Sequence, residues 1–244
     1  MAGSAVGARC ESAWDREQQG EDDVGMNAEQ QRMLERYAAL LAASPHNLIS
    51  PADRDRVWER HVGEAARVVE RLGPIEGGRW VDVGTGGGLP GLVLAVLRPE
   101  VEVVLLDATR KKIDAVAGFI DTLGIANATA LVGRAEEVAR QPDHRGTYDG
   151  GIARAVGAVT VSVELVRGFV APGGELAIVR GGDGPGCVPI LHRHAASLGV
   201  TDIHADGVPD AARATWLVRM RAEGAVPRWL PRPNGIPRSR PLED

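Results

Sequence analysis

Apolar positions recur along this chain with two periods. Residues 28–43 place Met33, Leu34, Tyr37, Leu40 and Leu41 three and four apart, which predicts an amphipathic helix. Ser50-Pro51-Ala52-Asp53 then reads as an N-cap, a first-turn proline and an acidic third position, so a second helix is predicted from there to about Leu72. Beyond it, short β-branched runs at 79–84, 101–106, 128–132, 148–152 and 174–180 alternate with helical patterns at 90–97, 109–123, 134–140 and 157–170. Strand and helix in strict alternation imply an α/β fold, a mostly parallel sheet covered on both faces. A helix at 188–198 and two strand candidates, 200–206 and 214–221, would complete seven strands with a closing hairpin. No internal repeat is found.

Composition refines this picture at the two ends. An apolar content of 44% in 244 residues is enough for a substantial core. Residues 1–25 carry six acids against Arg9 and Arg16 and few aliphatics, so they are expected to be a disordered acidic extension. Residues 26–224 are expected to form a single catalytic domain, with N-terminal helices over 26–78 and the sheet core over 79–224; 225–244 is expected to be a basic tail rich in Pro and Arg. The formal charge of −5 therefore hides a basic end, since residues 213–240 hold seven arginines against Glu223 alone. Cys10 and Cys187 are too few for a disulfide framework or a cysteine-rich metal site, and no apolar run approaches the ~18 residues of a membrane span. A cytoplasmic monomer, with no membrane and no metal partner, is the expectation.

The densest chemical signal is Val81-Asp-Val-Gly-Thr-Gly-Gly-Gly-Leu-Pro-Gly91, at the junction of the first strand and the first crossover helix. Doubly wound sheets bind ligands at that junction. Gly84, Gly86 and Gly88 let the backbone turn tightly and approach a ligand, and Pro90 suits a first helical turn. The spacing Gly86-x-Gly88-x-x-Gly91, with Asp107 ending the second strand, also satisfies the dinucleotide pattern, so a nicotinamide oxidoreductase is an alternative. Asp82 argues against it, because a carboxylate two residues before the first glycine would repel a pyrophosphate. S-adenosylmethionine carries an ammonium and a sulfonium instead, and favours the acid.

Seven short motifs in order resemble one family, the RsmG type, also called GidB, bacterial methyltransferases of 16S ribosomal RNA. They are Asn47-Leu48-Ile49-Ser50; Glu59-Arg60-His61-Val62; the glycine loop from Asp82 to Gly91; Leu105-Leu106-Asp107 with Lys111 and Lys112; Gly133-Arg134-Ala135-Glu136-Glu137; Ile152-Ala153-Arg154-Ala155; and Pro231-Arg232 with Gly235-Ile236-Pro237 and Pro241-Leu242. Three departures stand out: Ala153 replaces a serine, Val62-Gly63-Glu64-Ala65 replaces a segment containing L-D-S, and Arg180 replaces a lysine, a change that alters cation geometry. The resemblance implies a class I, Rossmann-like methyltransferase that transfers a methyl group from S-adenosylmethionine to N7 of a guanine in the decoding region of 16S rRNA. It implies that Asp82, Gly84, Gly86, Gly88, Leu89 and Asp107 border the donor, that Ala135 and Glu136 sit by its adenine, and that Arg154 contacts the donor site, with Arg180 and His61 as further catalytic candidates. Asn47 would border the acceptor.

The residues allow partial checks on that implication. N7 bears a free lone pair and no proton, so positioning is nearly the whole task and no general base is required. No Asn/Asp-Pro-Pro-aromatic motif follows the fourth strand, and neither cysteine stands where attack on a pyrimidine would need one. Lys111 and Lys112 are the only lysines in the chain and are adjacent, so they are candidates for rRNA phosphates, together with Arg228, Arg232 and Arg238 of the basic end. Each has a bland reading as a solvated cation. His192-x-His194 lacks a third ligand at metal spacing. A small-molecule methyltransferase and a donor-binding, non-catalytic RNA-binding protein are the remaining alternatives.

Overall fold

A computed structural model describes residues 25–208 and 214–242. The predicted acidic extension, apart from Gly25, lies outside the described residues, as does Arg213.

Helix α1, Ala28–Ala43, starts where Asn27 caps it: the Asn27 side chain accepts from the backbone of Glu29 and Gln30, and Gln30 reaches back to the Asn27 N–H. It buries Leu34, Tyr37, Ala38 and Leu41. The single helix expected from Ser50 to Leu72 is broken in three. A 3-10 segment spans Pro51–Arg56, capped by Ser50; a π-helical turn spans Trp58–Val62; helix α2 spans Gly63–Leu72. Gly63 permits the widened turn. Its N–H bonds to the carbonyl of Trp58, five residues back, and a Cβ at Gly63 would lie 3.0 Å from that oxygen.

The sheet follows in alternation with helices: β1 Gly78–Val83, α3 Gly91–Leu97, β2 Val101–Asp107, α4 Arg110–Leu123, β3 Ala128–Val132, α5 Ala135–Val138, β4 Tyr148–Arg154, α6 Val159–Arg167, β5 Val170–Arg180, α7 Gly184–Leu198, β6 Val200–Val208 and β7 Thr215–Ala222. A last helical turn, α8, spans Ile236–Ser239. The strand order is β3-β2-β1-β4-β5-β7-β6, seven strands with β7 antiparallel to both neighbours and the rest parallel. Helices α1 to α4 cover one face and α6 and α7 the other, each over its own apolar core. The chain winds outward from β1 through β2 to β3, then returns to lay β4 against the other side of β1. That reversal opens a crevice beyond the carboxyl ends of β1 and β4.

Residues 225–242, expected as a tail, pack against the body. Arg140 and Arg145 donate to the carbonyls of Pro231, Leu230 and Pro227, and Thr160 Oγ1 donates to Leu242. Arg232 clasps Glu164, a fully buried acid on α6: its Nε and Nη2 lie 2.7–3.0 Å from the carboxylate, which also accepts the Arg232 backbone N–H.

Candidate active site

The loop leaving β1 is held from four directions. Gly84 and Thr85 donate their N–H groups to Leu106 O at 2.8 and 3.0 Å, which ties the loop to β2. Gly86 N–H reaches Asp107 Oδ2 at 3.1 Å. From below, Asp82 Oδ2 accepts both Thr85 Oγ1 at 2.6 Å and the Gly91 N–H at 2.9 Å. From α1, Tyr37 donates its hydroxyl to Gly87 O at 2.8 Å. Gly84, Gly86 and Gly88 all have positive φ, at 76°, 60° and 102°, as the tight turn demands. Gly91 is required for a different reason: a Cβ there would fall 2.3 Å from Leu105 Cδ2 and 2.7 Å from the Asp82 carboxylate.

Asp82 thus lies beneath the loop, fully buried, and acts on the cleft through the backbone that it holds. Burial pushes its carboxyl up to about 6, although Thr85 and Gly91 oppose that shift; its Oδ1 is buried without a hydrogen-bond partner. Leu89 is likewise buried in the core under the loop.

The cleft beside the loop encloses about 270 Å³ and is bordered by Gly84, Asp107, Lys112, Ala135, Glu136 and Arg238, among others. Asp107 ends β2, as expected. Its Oδ1 accepts the Thr109 N–H at 2.8 Å, and each oxygen keeps a lone pair for a ligand. Glu136 is buried, and its Oε1 accepts the N–H of Gly235 at 3.1 Å and the Arg134 guanidinium at 3.2 Å. The C-terminal segment therefore forms one wall of this cleft, with Pro237 and Arg238 lining it. Nothing in the local sequence of residues 231–238 signals that placement, because the partner acids Glu136 and Glu164 are distant in the chain.

A second cleft of about 260 Å³ adjoins the first. Its lining is Glu64, Arg154, Ala155, Val179, Arg180 and Gly181, and Ala155 belongs to both clefts. Ala155 holds φ 56°, a left-handed conformation that an L side chain adopts at a cost. Arg154, at the end of β4, pairs through Nη1 with Glu64 Oε2 at 3.2 Å, and Thr215 Oγ1 donates to Glu64 Oε1 at 2.6 Å. Glu64 is itself buried. Arg180, at the end of β5, donates Nη1 to Gly157 O at 2.6 Å and Nη2 to the Asp183 carboxylate. Sequence reading did not give Glu64, Thr215 or Ala155 a role: the Glu64 to Thr215 bond joins residues 151 apart in the chain.

The other candidates are less concentrated. His61 lies on the π-helical turn with Nε2 3.2 Å from Asp53 Oδ2. Burial, reinforced by Arg154, lowers its pKa below the ordinary 6.5, so the imidazole is neutral at pH 7. Asn47 is exposed, and the next residue, Leu48, packs over Gly87 of the glycine loop. Lys111 is exposed, whereas the Lys112 ammonium is 3.9 Å from Asp107 at the cleft wall. Arg228 and Arg238 are exposed. Arg232 is the correction among the expected phosphate contacts: its guanidinium is committed to Glu164 and, through Nη1, to Arg240 O at 2.7 Å. Among the described residues no group of three or more His, Cys, Asp and Glu side chains gathers to hold a metal, and no helix is long and apolar enough to cross a membrane.

Comparison with known proteins agrees with this architecture. The family model described as GidB, rRNA small subunit methyltransferase G, matches residues 30–185. Ribosomal RNA small subunit methyltransferase G of Gloeobacter violaceus is 36% identical over 217 residues, covering 87% of this chain and 86% of that protein. The protein of the same name from Deinococcus radiodurans is 34% identical over 230 residues, covering 91% of this chain and 90% of its own length. Among solved structures, the O-methyltransferase from Bacillus cereus in complex with SAH superposes with a TM-score of 0.55 at 17% identity, over 81% of this chain and 92% of that one, and so shares the class I methyltransferase fold. With the family model spanning more than half of its length and relatives above 30% identity along most of it, this chain belongs to the GidB family of ribosomal RNA small subunit methyltransferases.

Proposed function

We propose that this protein transfers the methyl group of S-adenosylmethionine to N7 of a guanine in the decoding region of 16S ribosomal RNA, working in the cytoplasm. The observation that carries the choice of donor is the bond from the Gly91 N–H to Asp82 at 2.9 Å. A dinucleotide would rest its pyrophosphate on the first turn of the crossover helix, and here a buried carboxylate already takes that N–H. Three acids, Asp82, Asp107 and Glu136, surround the loop and cleft, a setting that suits a cationic donor.

S-adenosylmethionine supplies an electrophilic methyl group whose C–S bond breaks as the N7 lone pair forms the new C–N bond, so no proton has to be moved. The chain's own work is placement. Gly84 and Gly86 let the backbone approach the donor, and Asp107 offers its free lone pairs to hydroxyl groups. Glu136 and Ala135 form the floor at the far end, against Pro237 and Arg238. Arg154, fixed by Glu64, stands where β4 ends, between donor and acceptor sides. Arg180, held by Gly157 and Asp183, lines the second cleft as a positioning group, and the neutral His61 lies close enough to Arg154 to feel its charge. On the surface, Asn47, Lys111, Arg228 and Arg238 are free to meet RNA, and Arg232 serves as the clasp that orders the wall.

The test is transfer of labelled methyl from the donor to small-subunit rRNA, offered naked and as assembled subunits that lack the modification. Label in RNA from the wild type, and none from a folded Arg154→Ala variant, is the expected result. A protein that binds the donor but labels neither form of RNA would contradict the proposal.

A further inference from the structure

A third cleft, of about 350 Å³, adjoins the second at Arg180, which lines both. Its walls include Val159 and Thr160 at the start of α6, Ile190 of α7, and Pro241 and Leu242 of the C-terminal segment. The donor cleft is close by. Val156 lines the donor cleft and Ala158 the third, two residues and so at most ~7 Å of chain apart. The C-terminal segment borders both as well, with Pro237 and Arg238 on one and Pro241 and Leu242 on the other. Methyl transfer as derived above makes no use of this third cleft.

We infer that the third cleft takes the base of a nucleotide next to the target guanine, unstacked from it and laid against Arg180. The inference rests on the RNA acceptor proposed above and adds a contact beyond the reacting base. Neighbouring bases stand ~3.4 Å apart along a stacked strand and farther once splayed. A strand that brings its target to the donor therefore carries the next base across a wall of this width. The lining favours a base over a phosphate. Val159, Ile190, Pro241 and Leu242 present carbon, and Thr160 Oγ1 is already engaged by Leu242 O at 3.3 Å. The Asp183 carboxylate, largely exposed on the same lining, would repel a phosphate. Arg180 supplies positive charge, and its N–H edge is occupied: Nη1 donates to Gly157 O at 2.6 Å and Nη2 to Asp183, with a further side-chain bond to Cys187. What it offers a ligand is the flat of the guanidinium, a surface that stacks on bases. Those same partners hold the group still before RNA arrives, so little ordering is left for binding to impose.

Small subunits can be reconstituted with the rRNA in two pieces, the target-bearing piece synthetic, with an intact or an abasic nucleotide on the 5′ or the 3′ side of the guanine. Removing the base on one of those sides is expected to lower kcat/KM roughly five- to hundredfold, the value of a lost stacked base. Ile190→Phe, which fills the cleft, and Arg180→Lys, which keeps the charge without the plane, should both slow the intact RNA. On that abasic RNA the same two variants should add little further loss, because they remove a contact already gone. Full rates for the wild type on both abasic RNAs would overturn the assignment without recourse to any variant. Variants that slow intact and abasic RNA equally would overturn it too, since the neighbouring base would then be held elsewhere. A wild type that binds donor but does not methylate the intact RNA removes the proposed function itself, and this assignment falls with it.

Discussion

Asp82 carries two duties that pull against each other. It must be buried to hold Thr85 and Gly91, and burial raises its pKa from 3.8 to about 6. The folded protein thus holds that proton more tightly than the unfolded chain does. Its contribution to stability is greatest below about pH 4, falls as pH rises toward about 6, and stays low above it, a swing on the order of 3 kcal/mol. Asp82→Asn keeps an oxygen for both donors and cannot ionise, so urea unfolding across this range should show a flatter profile than the wild type. An unchanged slope would mean that the carboxyl titrates normally. Ala155 holds a different kind of strain, and Ala155→Gly should stabilise the protein by up to about 1 kcal/mol through relief of its positive φ. A destabilised variant would show that the Cβ packs more than it strains. From the sequence, Asp82, Asp107 and the glycines were legible because neighbouring residues built the motif. Glu64 was not, since its carboxylate is fixed by Arg154 and Thr215, which only the folded sheet brings near.

At the level of elements, the alternation of periods was enough to read the parallel sheet and the closing hairpin, and Asn27 and Gln30 mark where α1 begins. Two elements escaped that reading. The helix expected from Ser50 is divided because Gly63 lets the backbone close a five-residue bond to Trp58, a choice that apolar spacing does not encode. Helix α7 starts at Gly184, before the predicted 188, because Pro189 within it masks the first turn. The C-terminal segment was readable in composition but not in placement: its four arginines suggested contacts to phosphate, but Arg232 is spent on Glu164. Arg232→Ala would leave that acid buried and unpaired, so a loss of about 3–5 kcal/mol is expected in chemical denaturation. Because the same segment supplies Pro237 and Arg238 to the cleft, donor affinity measured by calorimetry should fall as well. Unaltered stability and affinity would show that the clasp is dispensable.

Over the whole molecule, a formal charge of −5 coexists with an RNA substrate because acidic and basic residues are segregated along the chain. Phosphate contacts should then be few and individually visible in the salt dependence of RNA binding. Lys111→Gln is expected to reduce the slope of log affinity against log salt by about one, while Lys112→Gln should change it less, since Lys112 faces Asp107. Equal effects would place both lysines on the RNA. The donor cleft, the cleft that adjoins it and the family to which the chain belongs lead to the proposed transfer to a single ring nitrogen. The most direct measurement is to label 16S rRNA with methyl-labelled S-adenosylmethionine and map the label by N7-specific chain cleavage. One labelled guanine in the decoding region is the predicted result; label at another atom or another region, or none despite donor binding, would contradict it.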